Sequence, residues 1–560
     1  MVTYTALGTV GTQRGTLIGT LLARAESRPG DIGYRFLDST NCETLTYREV
    51  LRHAGSVATA LAEVGTAGDR VLVVCPPGPQ FITAFLGCLL AGRIAVPVYV
   101  PSSRHSSEGF LRIARDCAAR LAIAPTGVVT PGSLSVLRCD ALPPADDVDW
   151  PEPHPDNVAF LQYTSGSTGR PKGVQVRYRS LWHNLELIRT AFGHTPDSGA
   201  VIWLPPHHDM GLIGGLLQPL HAGFPATVMS PMDFLTRPLS WLQTIAQYGA
   251  TTSGGPNIAY DLCTRRIRRE EAAQLDLSRW EVAFVGAEPI NPRVLERFAD
   301  HFAPSGFRAD SFFPCYGLAE STLFVSGGPR GKGARSRCFS VAALESGLVR
   351  VEPGGRSIVS AGPVHGAEVA VVDPATCRRC PPDRVGEIWL RGPSVADTYW
   401  GWEGLRNDTF GAVLPDEPHA GEFLRTGDLG FVLAGELYLA GRHRELIVVR
   451  GRNFFPQDLE RTVEESHPEL RPGGCAAFSV EVDSEERVVI VQEVPDPLGE
   501  ADASELRHSI REVISREYGL ALYRVDLVPR GRIPKTTSGK IQRAQLRTAF
   551  VPDPEDGVAQ

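Results

Sequence analysis

Apolar positions along the chain alternate between a helical and a strand period. Leu17, Leu21 and Leu22 open one helical face, and Tyr34-Arg35-Phe36-Leu37 alternates as a strand. Thr44-Leu45-Thr46-Tyr47 is placed to pair with it, and Val50 to Val64 returns to helical spacing. Arg70 to Val74 then reads as a buried strand, Pro79 to Gly92 as a helix and Ile94 to Val100 as another strand. Strand–helix–strand alternation on this scale predicts a doubly wound α/β domain with parallel strands. The most apolar window, Phe81 to Val100, is broken by Arg93 and Pro97, so it predicts a buried helix and strand rather than a membrane span. Residues 101–155 continue the pattern less clearly and are rich in proline, serine and aspartate.

Further along, Val158 to Leu161 is a short apolar run, and Leu181, Leu185, Ile188 and Phe192 share a helical face. Ala200 to Leu204, Glu281 to Val285 and Glu387 to Leu390 read as strands, with a helix from Pro292. Between them, Ser326 to Val364 combines glycines and arginines with short apolar pieces and predicts an inserted hairpin or loop on the domain surface. Around Gly441 to Glu445 the pattern changes. A helix at Pro456–Glu465, an antiparallel pair at Gly474–Val482 and Arg487–Val494, a helix at Ser504–Tyr518 and a strand at Val525–Val528 predict a compact α+β domain with its own core.

The 560 residues exceed what one ordinary core organises, and 42% hydrophobic with 21% charged residues is globular composition. A net charge of -8 without a long basic run argues against nucleic acid as a partner. No stretch suits a membrane anchor or a secretory signal, and eleven cysteines without a framework fit a reduced cytoplasmic setting. Cys377 and Cys380 form a lone CxxC with no second pair, better read as a loop than as a metal or redox site.

The stretch most informative about chemistry is Tyr163-Thr164-Ser165-Gly166-Ser167-Thr168-Gly169-Arg170-Pro171-Lys172-Gly173. Its glycines allow close approach of backbone N–H groups, its hydroxyls donate and Lys172 supplies charge, a combination suited to an oligophosphate. It is not a Walker A loop, because Pro171 precedes the lysine. Three more segments sit at strand ends, where α/β sheets bind ligands. They are His207-His208-Asp209-Met210-Gly211, Gly286-Ala287-Glu288-Pro289, and Tyr316-Gly317-Leu318-Ala319-Glu320. Adjacent histidines and an aspartate rarely ligate one ion together, so the first segment reads as pocket lining rather than a zinc site. The Tyr316 face can stack on a base, and the Glu320 carboxylate can hold Mg²⁺ bound to phosphates. Asp428, in Thr426–Gly430, can accept both hydroxyls of a ribose. Lys540 closes a small-domain loop at a place where folding has no need of a lysine.

Together these stretches resemble the adenylate-forming superfamily: acyl-CoA synthetases, adenylation domains of peptide synthetases and luciferases. The resemblance covers nearly the whole chain, in the family's motif order. It implies an α/β fold with a large multi-layered N-terminal adenylation domain at 1–440, a hinge at 441–445 and a small mobile α+β lid domain at 446–560. On this resemblance Thr164, Ser165, Gly166, Ser167, Thr168, Gly169 and Lys172 correspond to the phosphate loop. Gly286, Ala287, Glu288, Pro289, Tyr316 and Gly317 correspond to adenine-binding segments, Asp428 and Arg442 to ribose-binding residues and Glu320 to the Mg²⁺ ligand. Arg444 takes the hinge position and Lys540 that of the catalytic lysine.

A finer resemblance is to the fatty acyl-AMP ligases. It rests on Leu204–Gly215, Ser253–Cys263, Val325–Gly328 following Glu320, and Gly451–Asp458, with an insertion at about 332–361. It implies that His208, Asp209, Met210, Gly211, Gly255, Tyr260, Leu318 and Ala319 line the substrate pocket. It further implies activation of a fatty acid with ATP and Mg²⁺, then delivery to a phosphopantetheinylated acyl carrier protein with poor use of CoA. Three positions depart from the pattern: Arg177-Tyr178-Arg179 replaces a common Ser-His pair, Arg444 the usual Asp or Lys, and His207 a common tyrosine. None removes a catalytic group. An acyl-CoA synthetase, an amino-acid-activating enzyme using Asp209 to hold an amine, and a non-catalytic acyl or nucleotide binder are the competing readings.

Overall fold

A computed structural model describes residues 15–38, 41–143, 145, 150, 153–164, 171–403, 409–467, 469–482, 485–495, 499–535 and 540–549. The α/β core holds two sheets rather than one. The first runs in the order Ser135–Arg138, Leu121–Ala124, Arg70–Val73, Ile94–Pro97, Val158–Thr164, Lys172–Arg177. The second runs Phe324–Gly327, Phe312–Gly317, Val282–Val285, Thr252–Gly255, Ala200–Ile202, Ala226–Met229, Ile32–Leu37, Cys42–Thr46. Their inner strands are parallel and antiparallel partners close three edges: Lys172–Arg177, Phe324–Gly327 and Cys42–Thr46. Helical connections explain the continuous apolar runs, since strands covered on both faces bury every side chain. The helix Pro79–Leu90 is apolar all round, with residues 81–90 all buried, as expected of a helix inside the core rather than on its surface.

The strand Ile32–Leu37 pairs with Cys42–Thr46 as the alternation predicts, but its other neighbour is Ala226–Met229. Local periodicity reports a strand; it carries no information on which sheet receives it. A further strand, Lys172–Arg177, lies between the hydroxyl-rich stretch and the following helix, so that stretch joins antiparallel strands.

A four-stranded antiparallel sheet, Glu368–Val372, Gly386–Arg391, Leu424–Leu433 and Glu436–Arg442, completes the large unit. The segment at 332–361 folds as a hairpin of Ser336–Phe339 with Arg356–Val359 around a short helix, Val341–Glu345. It is more than a surface loop: Phe339 is fully buried and meets Phe431 and Tyr438 edge-on at 5.0 and 5.5 Å.

The small unit has a separate core of Leu459, Val463, Ile490, Ile510 and Ile514 under the sheet Cys475–Val482, Glu485–Val494, Leu522–Pro529. Its long helix begins at Glu500, four residues before the expected start, and Leu522–Pro529 pairs parallel to its neighbour. A last helix, Arg543–Ala549, packs Leu546 onto the opposite face of that sheet. Among the described residues no helix is long and apolar enough to cross a membrane.

Candidate active site

Neighbouring parallel strands place Gly286–Pro289 beside Tyr316–Gly317 at one end of the second sheet. The backbone there is packed so closely that a Cβ on Gly317 would stand 1.8 Å from the Leu323 carbonyl oxygen. Ala287 and Thr322 both hold positive φ, 71° and 66°, a costly conformation for residues with side chains that tends to mark ligand-binding loops. Asp428 is buried, and its two oxygens have different partners. The Tyr316 hydroxyl donates to Oδ2 at 2.7 Å, and Arg442 Nε lies 3.0 Å from Oδ1. The antiparallel register sets this pair, because Asp428 faces Arg442 across adjacent strands. Burial, with the carboxylate beside it, pushes the Tyr316 hydroxyl well up, and Asp428 raises the Arg442 guanidinium. A carboxylate so held keeps lone pairs for the hydroxyls of a sugar.

On a second side, Thr164 and Lys172 are paired across the ends of their strands. Ser165, Gly166, Ser167, Thr168 and Gly169 lie outside the described residues. The Lys172 ammonium sits over the rings of Tyr399 and Trp402, 4.9 and 5.6 Å from their centroids. The Tyr399 hydroxyl donates to Glu320 Oε1 at 2.8 Å. Desolvation first, then repulsion from Arg444, lowers the Lys172 pKa, and Glu320 opposes them. Arg444, expected at a hinge, therefore also faces the phosphate-side cluster. Among the described residues no three side chains form a metal cage. One accessible carboxylate still suits Mg²⁺, which prefers one or two carboxylates together with substrate phosphates and water.

The third side is formed by residues 207–211. The turn into the π-helix Met210–Leu217 needs Gly211, since a Cβ there would lie 2.1 Å from the Pro205 carbonyl oxygen. Asp209 Oδ1 accepts from the Met210 N–H at 2.8 Å. Burial, helped by the Lys540 charge, pulls the His208 pKa down to about 4, so the imidazole is neutral. Burial raises the Asp209 carboxyl, and Lys540 opposes that shift. Glu288 is also raised by burial, against N–H groups of Asn257 and Ile258 and again Lys540. The Lys540 ammonium thus acts on His208, Asp209 and Glu288 together, although it comes from the other domain.

Arg543 anchors the Lys540 segment. Its Nη1 lies 2.6 Å from Glu445 and its Nη2 2.7 Å from Glu460. Gly255 sits against the Trp203 ring, and Leu318 and Ala319 follow Gly317 into the turn. Tyr260 stands apart from these. Its ring is fully buried among Trp241, Trp280, Phe298 and Phe312, and its hydroxyl donates to the Phe284 carbonyl at 2.8 Å.

Tyr399, Trp402 and Arg543 escaped the sequence reading, and Asn257 stood within Ser253–Cys263 without a role of its own. The aromatic run Tyr399-Trp400-Gly401-Trp402 was a visible signal for the first two. The Arg177-Tyr178-Arg179 departure is structural: Arg177 Nε pairs with Asp397 at 2.5 Å, and the buried Tyr178 donates to the Leu89 carbonyl at 3.3 Å.

A layered α/β core with this three-sided site, completed by a lysine from a second domain, is the architecture of an adenylate-forming ligase. The chain belongs to the AMP-binding enzyme family, whose profile matches residues 22–400. Residues 444–554 match the family described as Disco-interacting protein 2-like, AMP domain. The chain is 41% identical to the medium-chain-fatty-acid–[acyl-carrier-protein] ligase JamA of Moorena producens, over 96% of this chain and 95% of that one. It is 33% identical to the corresponding ligase TtuA of Teredinibacter turnerae, over 95% and 93%. The solved fatty acyl-adenylate ligase of Legionella pneumophila, in complex with acyl adenylate and pyrophosphate, is 37% identical with a TM-score of 0.74, covering 97% of each chain.

Proposed function

We propose that the protein activates a fatty acid with ATP to the acyl adenylate, then passes the acyl group to the phosphopantetheine thiol of an acyl carrier protein. The observation that carries this reading is Lys540, delivered by the small domain to His208, Asp209 and Glu288. In the first step a carboxylate oxygen attacks the α-phosphorus in line and the bond to the β-phosphate oxygen breaks, releasing pyrophosphate. Lys540 sits where the charges of carboxylate and α-phosphate meet, and such preorganised charge supplies most of the catalysis. Asp428, with Tyr316 and Arg442, holds the ribose, and the turns at Gly286–Pro289 and Tyr316–Gly317 hold the base. Thr164, Lys172 and Arg444 face the departing phosphates. Glu320 would hold Mg²⁺, which neutralises phosphate charge when bound. In the second step the thiol attacks the acyl carbonyl, AMP leaves and the thiol proton is released.

Lys540 stands where the thiol must approach, so the small domain turns about residues 441–445 between steps. The insertion bears on the choice of acceptor. Arg356 from its hairpin pairs with Asp458 of the small domain at 2.9 Å, and Arg452 pairs with Glu345 at 2.7 Å. A hairpin fastened to both units limits the turn, which favours a tethered carrier thiol over free CoA. Removing residues 332–361 should raise acyl-CoA formation; no gain would sink this explanation. All eleven cysteines are free, which suits a cytoplasmic setting. Pyrophosphate exchange with fatty acids of graded length tests the first step, and background exchange with every acid would favour a non-catalytic binder.

A further inference from the structure

The turn between the domains carries three charges that face three different stations of the site. Arg442, at the end of the strand Glu436–Arg442, pairs with Asp428 on the ribose side. Arg444 faces the phosphate side, where its charge reaches Lys172. Glu445, the last residue of the one-turn helix His443–Glu445, reaches into the small domain instead. Its Oε2 accepts from Arg543 Nη1 at 2.6 Å and from Gln457 Nε2 at 3.4 Å. Its charge also acts on Arg442: Asp428 first, against desolvation, and then Glu445 raise that guanidinium. One carboxylate is thus shared between the arginine beside the ribose site and the arginine beside Lys540.

Arg543 does not need Glu445 to be held in its own domain. Its Nε and Nη2 donate to Glu460 Oε1 and Oε2 at 2.8 and 2.7 Å, a two-pronged match that fixes the guanidinium within the small domain. The third contact, from Nη1 to Glu445, is surplus to that purpose and reaches the turn between the domains. What it governs is the lysine. The Gln542 N–H donates to the Pro534 carbonyl at 2.9 Å, and Lys535 bridges to Ile541, so the Lys540 loop closes on a neck whose next residue is Arg543. With the Arg543 side chain 11% exposed, that neck cannot shift without dragging a buried ion pair.

We infer that Glu445 is a positioning residue: by joining Arg543 to the Arg442–Asp428 pair it sets Lys540 in register with the nucleotide in the adenylate-forming arrangement. The inference rests on the role of Lys540 proposed above. Glu445 itself touches no reacting atom. Its contribution is to hold the ammonium where the carboxylate and α-phosphate charges meet, and a misplacement of about 1 Å at such a point can cost on the order of 10²-fold in rate. The effect therefore falls on kcat and not on the KM for ATP, whose ribose keeps Asp428 and Arg442.

The test uses the full chain and Glu445→Gln, which keeps the shape and removes the charge, with Glu445→Asp as the conservative variant and Tm recorded for each. Pyrophosphate exchange with ATP, Mg²⁺ and fatty acids of graded length gives kcat and KM. Glu445→Gln should lower kcat about tenfold or more and leave the KM for ATP within about twofold, and Glu445→Asp should recover part of the loss. In the Lys540→Ala background Glu445→Gln should cost nothing further, because both act through the same ammonium. Amine labelling read by mass spectrometry follows Lys540 directly, one of four lysines in the chain. A non-hydrolysable acyl-sulfamoyl adenosine should protect it in the wild type and much less in Glu445→Gln. Wild-type kcat in Glu445→Gln, or equal protection, overturns the positioning role alone. A further loss in the Lys540→Ala background, or a fall in Tm that tracks the fall in kcat, assigns Glu445 to the folding of the hinge and overturns that role too. Background exchange by the wild type with every acid, or a wild-type Lys540 that the analogue leaves unprotected, overturns the adenylation reading and this inference with it.

Discussion

The small domain meets the large one in two chemically opposite ways. On the inserted-hairpin side, cations meet carboxylates. The Arg356 side chain is 11% exposed, pairs with Asp458, donates to the Ala440 carbonyl at 3.0 Å and lies 4.7 Å from the Phe455 ring centroid. Where the end of the helix Asn257–Arg266 faces the small domain, Arg265, Arg266, Arg471 and Arg530 repel one another instead. A further ion pair, Arg293 with Glu465 at 2.7 Å, also joins the two domains. The paired junctions resist separation of the domains, and the cationic one opposes them.

The largest expected effect comes from breaking the fastened side. Arg356→Ala leaves the buried Asp458 carboxylate with Arg461 alone, 3.0 Å away, so the loss should fall at or below the lower end of the about 3–5 kcal/mol that a buried carboxylate left unpaired costs. Chemical denaturation, with hydrogen exchange followed across Ala440–Asp458, would measure it. Next is Lys540→Ala, which removes the charge the small domain delivers and should slow pyrophosphate exchange about 10²–10³-fold. Transfer from a preformed acyl adenylate should be affected less, and single-turnover assays separate the two.

A smaller effect is pH dependence of the site beneath both junctions. Burial holds His207 and His208 neutral, with pKa values of about 3 and about 4. Below about pH 6.5 the unfolded chain binds protons that the folded chain refuses, so stability is lost as pH falls from there toward those values. His208→Gln should make the fall in Tm between pH 7 and pH 5 shallower. The smallest effect is expected on the cationic side: Arg471→Ser removes an exposed cation that repels its neighbours, so stability should change by less than about 1 kcal/mol. A loss as large as that of Arg356→Ala would erase the contrast between the two junctions.

Much of this was legible in the chain because local signals carried it. Two of the small domain's helices and its hairpin followed from periodicity, and residues 286–289 and 316–320 stood at strand ends where ligands bind. Asp428, expected in a tight turn, lies inside the strand Leu424–Leu433, and the helix Arg543–Ala549 was not foreseen. Long-range partnerships were not legible. Nothing near Ile32–Leu37 says that its neighbour is Ala226–Met229, some two hundred residues away in sequence. Tyr399 reaches Glu320, and Arg543 joins Glu445 to Glu460, only through the tertiary fold. Tyr260 illustrates the converse: its segment resembles pocket lining, but an aromatic cluster claims the ring.

The central claim is a lysine-dependent acyl adenylate handed to a carrier, and competition between acceptors tests it most directly. The full chain is given ATP, Mg²⁺ and a medium-chain fatty acid, with holo acyl carrier protein and CoA present together, and both thioesters are quantified. The account predicts acyl-carrier thioester in large excess over acyl-CoA, with both abolished in Lys540→Ala. Acyl-CoA forming as fast as the carrier thioester, or exchange surviving the loss of Lys540, would contradict it.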